Sequence, residues 1–89
     1  MEIKMQQSTI FELDGNEFVR KHTTLVKENG SSGVGTTLEH NNPGYSALLK
    51  KESFTGTVTL FGKTCSANYA PLTDSNGVLT GALMVCLEI

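Results

Sequence analysis

Between Glu17 and Val26 the chain reads EFVRKHTTLV. A strand over these residues sets Phe18, Arg20, His22 and Thr24 on one side and Val19, Lys21, Thr23 and Leu25 on the other. The first set suits a small organic anion: the Arg20 guanidinium can grip a carboxylate with two parallel hydrogen bonds, and His22 can donate in a pH-sensitive way. A plainer reading stands beside it, in which Arg20 lies at a sheet edge or pairs with Glu17 or Glu39 and His22 is an ordinary surface residue. Lys21 is expected to face solvent. Tyr45 and Tyr69 each carry an apolar body with a hydroxyl tip, fit either to close a pocket or to fill a core. Met84 and Cys86 share one face of the last strand, as pocket floor or as core. The candidate ligand-binding set is therefore Arg20, His22, Tyr45, Tyr69 and Met84. Thr36, in "GTTL", fits a turn-capping role better than a ligand contact.

Other chemistries find little support. There are two histidines, no serine in a nucleophile-elbow context, and Asp14 and Asp74 both fall in turn sequences, so neither a catalytic triad nor a carboxylate pair is indicated and no catalytic residue is assigned. Cys65 and Cys86 lie far apart in sequence without CxxC spacing, which points to small buried hydrophobes and to no metal site. "GVGTT" lacks the GxxxxGK[ST] pattern of a phosphate loop. No cofactor is implied. Seven Lys plus Arg against nine Asp plus Glu give a net charge of −2, without the basic footprint of a nucleic-acid binder. The longest apolar run, Ala82 to Leu87, is far short of the roughly 20 residues of a membrane-spanning helix.

These side chains must be positioned by a single domain, since 89 residues are too few to divide. Met1 to Ser8 has no clear period and reads as a disordered or lead-in segment, with the domain proper over 9–89. "DGN" between "TIFEL" and "EFVRKHTTLV" is a hairpin signal, giving strands at Thr9 to Leu13 and Glu17 to Val26. Lys27 to Gly35 is a loop by composition. Asn42 can cap a short helix over Pro43 to Lys51, with proline at its first position and Tyr45, Leu48 and Leu49 along one face. Three further strands are expected at about Thr55 to Phe61, Thr64 to Leu72 and Val78 to Leu87, turning at Gly62-Lys63 and Ser75-Asn76-Gly77. The last is apolar on both faces and therefore central. One helix covers only part of one sheet face, leaving the other partly bare.

Taken in order, "DGNEFVRKHTTL", "GTTL", "NPGY", "FTGTVTLFGK" and "YAPLTDSNGVLTGALMV" make the chain resemble the Cache sensor domains of methyl-accepting chemotaxis proteins and sensor kinases. The resemblance is closest to the single-Cache and Cache-fusion types and spans about 80 of the 89 residues. It implies an α+β, PAS-like fold: a five-stranded antiparallel sheet of order 2-1-5-4-3 with one short helix between strands 2 and 3. It further implies a ligand pocket between the sheet and its connecting segments. Arg20 falls on the family's R-x-x-T segment and Tyr69 on its Y-x-P-h-x-D segment. Within these 89 residues neither the family's long N-terminal helix nor its signalling region is expected. The expectation is thus an excised sensor module, extracytoplasmic and reaching the membrane only through segments outside this chain, or a stand-alone relative in the cytoplasm. The expected function is binding of a small carboxylate, or alternatively dimerisation without a working pocket. A homodimer through the uncovered sheet face is expected in either case.

Overall fold

The computed structural model describes residues 6–88. Strands β1 (Gln6–Asp14) and β2 (Glu17–Thr23) lead through a long loop to helix α1 (Pro43–Leu49), followed by β3 (Phe54–Leu60), β4 (Lys63–Thr73) and β5 (Leu79–Glu88). All neighbours pair antiparallel in the order β2-β1-β5-β4-β3, the PAS-like arrangement. Strand β1 starts at Gln6, so residues 6–8 of the supposed lead-in are part of the sheet, pairing with Val85, Cys86 and Leu87. Residues 1–5 and 89 lie outside the described residues.

The central strand is explained by its composition. On β5, Ala82, Met84 and Cys86 are buried on the inner side, while Leu83, Val85 and Leu87 stand on the outer side. Strands β1 and β4 flank it along nearly their whole length, and the start of β1 lies beside the end of β5, Gln6 pairing with Leu87. Gly81 permits the closest approach, because a Cβ there would lie 2.1 Å from the Phe11 carbonyl oxygen.

One layer of helix and loop closes the inner face. Asn42 caps α1, its side-chain oxygen accepting from the Gly44 amide at 2.8 Å, and Pro43 occupies the first turn. The helix ends at Leu49, two residues short of the expected boundary, because Lys51 turns to a φ of 60°. Tyr45 and Leu48 are buried beneath it, but Leu49 is exposed and Gly44 takes the third inward position. A Cβ on residue 44 would press within 2.9 Å of the Tyr69 ring. The core is built around Phe11, Phe18, Leu38, Leu48, Tyr69 and Met84, all nearly inaccessible to solvent. The opposite sheet face is uncovered by the described residues, with Ile10, Leu83, Val85 and Leu87 each 41–45% exposed.

Candidate functional site

Strand β2 contains the decisive irregularity. Ile10 pairs with His22 and Phe11 with Arg20, so one residue of β1 advance is matched by two on β2 and Lys21 forms a β-bulge. The alternation of faces therefore reverses after Arg20. Phe18 and Arg20 point inward as expected, but His22 is exposed on the outer side, and Thr23 takes the inner position with its hydroxyl 2.7 Å from that of Thr9. Placing His22 beside Arg20 is thus corrected: it lines an open groove with Ile10, Thr24 and Val34 instead.

Arg20 is the sole arginine of the chain, and it is only 3% exposed. The segment 35–38 runs along the outer edge of β2, with Arg20 N–H donating to the Thr36 carbonyl and Gly35 N–H to the Arg20 carbonyl, each at 2.8 Å. This supplementary strand supplies the acceptors for the guanidinium. Nη1 donates to the Thr36 hydroxyl at 3.1 Å and to the Thr37 carbonyl at 2.9 Å. The guanidinium carbon lies 5.3 Å from the centre of the Phe11 ring and 5.0 Å from that of Phe61, distances at which the ring quadrupole attracts a cation. Nε is buried and has no hydrogen-bond partner among the described residues. Burial lowers the Arg20 pKa, with the charges of Tyr69 and Glu39 opposing the shift. A guanidinium does not deprotonate in a protein, so the lowering expresses how costly it is to keep this charge out of water.

Beside the guanidinium is a hollow of about 30 Å³, lined by Arg20, Thr37, Leu38, Glu39, Asn42, Thr59, Leu60 and Phe61. That is room for one or two waters. A more open vestibule of about 200 Å³ adjoins it, sharing Glu39, Asn42 and Thr59 and extending past Asn41, Pro43 and Val58. Asn42 joins hollow to core: its amide nitrogen donates to the Tyr69 hydroxyl at 3.2 Å while its oxygen caps the helix. Tyr69 is fully buried, and burial raises its pKa against the opposing effects of the Asn42 hydrogen bond and the Arg20 charge.

The remaining candidates are structural in position. Tyr45 donates its hydroxyl proton to the Asn16 carbonyl and stacks on His40 at 4.2 Å, pinning the helix to the β1–β2 turn. Glu17 pairs with His40, not with Arg20, at 2.8 Å. Met84 is buried opposite Tyr69 in the β4–β5 register and lies outside the hollow's lining. Four residues with a part in the site escape a reading by alternation: Thr37, Glu39, Asn42 and Phe61. "NNPG" signals Asn42 as a cap, but its second contact, to Tyr69, joins residues 27 positions apart. No feature of the sequence brings Phe61 to Arg20.

An antiparallel sheet of this order, with helix and loop over one face and Arg20 the one buried cation among the described residues, defines a PAS-like α+β domain. The model of the Cache 3/Cache 2 fusion domain matches residues 2–89, and the chain belongs to that family of sensor modules found in signalling receptors. No curated protein and no solved structure matches the chain.

Proposed function

We propose that this domain is the ligand-binding module of a bacterial chemotaxis-type receptor, and that it takes a small carboxylate at Arg20. One observation carries the reading. The chain's only arginine is held in the interior with its Nε unpartnered among the described residues, although burying a charged donor without an acceptor costs about 2 kcal/mol. An anion accepting from that free edge removes the cost, and the adjoining vestibule accommodates the rest of the molecule. Tyr69 acts through Asn42, which it holds at the wall of the hollow. Occupancy becomes a signal only to the extent that the ligand binds two arrangements of the domain with different affinity.

A thermal-shift panel of small carboxylates, amino acids and amines tests this, with Arg20→Met as control. A binder at 100 times its Kd adds about 2.7 kcal/mol of stability, a rise of roughly 10–20 °C for a domain of this size. A panel flat in both proteins refutes the reading.

The bare outer face favours a second, compatible role as a homodimerisation surface. Leu83, Val85 and Leu87 run along the central strand, with Ile10 directly opposite Leu83. A second copy covering the stripe buries it by twofold symmetry. Light scattering should give twice the chain mass for the wild type and the single mass for Leu83→Lys/Val85→Lys; a monomeric wild type refutes the dimer.

A further inference from the structure

The hollow beside Arg20 has room for only one or two waters, so on the reading above a carboxylate group enters it most readily if one of its walls moves. Most walls are fixed. Leu38 and Leu60 are core residues, Asn42 is buried and bonded at both ends, and the Thr37 carbonyl is tied to Nη1. Glu39 and Thr59 are exposed at the rim. Phe61 differs from all of these: it is half-buried, sits in a hairpin turn and has its ring over the cation.

Its backbone is also out of the ordinary. Leu60 pairs with Lys63, leaving Phe61 and Gly62 as a two-residue loop with φ of 48° and 80°. Such a loop demands positive φ at both positions and favours Asn-Gly or Gly-Gly. A bulky aromatic residue in the left-handed region is strained, and only Lys51 shares that conformation among the described non-glycine residues. The ring meanwhile lies in a berth cut for it: a Cβ on Gly33 would come within 3.2 Å of it. Strain at residue 61 thus opposes the attraction between ring and guanidinium. A ring held against the strain of its own backbone is the part of the wall most easily displaced.

We infer that Phe61 is the gate of the Arg20 site: its ring closes over the guanidinium when the site is empty and swings off it, with the β3–β4 turn, to admit the anion. The inference rests on the carboxylate-binding reading, and the following experiment separates the two. Because the chain has one arginine, its Nε–H gives a single resonance in ¹⁵N-edited NMR spectra, identified by its loss in Arg20→Lys. Acetate and butyrate are titrated into the wild type, Phe61→Gly and Phe61→Leu. Phe61→Gly removes the ring and relieves the turn, while Phe61→Leu keeps apolar bulk without the ring's attraction for a cation.

If binding requires an open state populated at about 10% or less, removing the gate strengthens apparent affinity and speeds association about tenfold or more in Phe61→Gly. Phe61→Leu falls between it and the wild type, and gives the same ordering should the glycine variant not fold. Equal or weaker binding in the variants, with the Nε–H still shifting in the wild type, overturns the gate and leaves the Arg20 site standing. An Nε–H that responds to neither acid in any of the three proteins overturns both.

Discussion

Replacing Arg20 by methionine asks directly whether the guanidinium serves the fold or burdens it. Methionine keeps much of the unbranched side-chain volume and fills irregular gaps, so the substitution removes the charge while limiting the cavity. On the losing side are two charge-assisted hydrogen bonds from Nη1, worth about 2 kcal/mol each, and two ring contacts worth about 1 kcal/mol each. Thr37 is exposed, so water can take over its carbonyl, and the Thr36 hydroxyl still donates to the Gly33 carbonyl. On the gaining side are the desolvation of a buried cation, about 4 kcal/mol, and the orphaned Nε, about 2 kcal/mol. The two sides cancel to within about 2 kcal/mol. Arg20→Met should therefore unfold in urea within roughly 1.5 kcal/mol of the wild type at unchanged m, while losing carboxylate binding altogether. Arg20→Ala, which leaves a void, should lose about 2–4 kcal/mol. A loss of 4 kcal/mol or more for Arg20→Met would show that the guanidinium is a structural prop, and the case for a cation held ready for a ligand would fall.

Three shorter expectations complete the set. Gly81→Ala must push β1 from β5, since its Cβ would sit 2.1 Å from the Phe11 carbonyl oxygen; a loss of at least about 3 kcal/mol in urea unfolding is expected, and a loss below 1 kcal/mol contradicts the strand spacing. Burial, reinforced by the neighbouring Cys65 thiol, pushes the Cys86 thiol up to about 12, and burial raises the Tyr69 phenol too. The folded state therefore holds these protons more tightly than the unfolded one, and stability should fall as pH climbs from about 9, by up to about 1.4 kcal/mol per pH unit for each group. Cys86→Ala should flatten that fall, as read from urea midpoints between pH 8 and 11. Glu39→Gln removes the carboxylate that lines the hollow and acts on Arg20; acetate affinity should rise roughly two- to fivefold at low salt and much less at 0.5 M, where screening is strong.

The sheet order and element sequence follow from features that act locally or over whole strands. Asp14-Gly15 fixes the first hairpin, Asn42-Pro43 starts the helix, and the doubly apolar β5 can only be central. The site is less legible, because it depends on departures from regularity. Strict alternation groups His22 with Arg20, and a single bulged residue at Lys21 parts them; bulges carry no obligatory residue type, so nothing in "RKHTT" announces one. The β3–β4 turn lies one residue earlier than Gly62-Lys63 suggests, because tertiary contact of the Phe61 ring with Gly33 and Arg20 outweighs the local preference against an aromatic residue at positive φ. Arg20 precedes the bulge, so alternation alone is enough to turn it inward.

The pairing of Gln6 with Leu87 at the middle of the sheet has a mechanical corollary. There the start of the first described strand and the end of the last lie side by side about 5 Å apart, like two cords through a single eyelet. A tug on one cord against the other shears the β1–β5 seam lengthwise, and that seam carries Phe11, one of the two rings against the guanidinium.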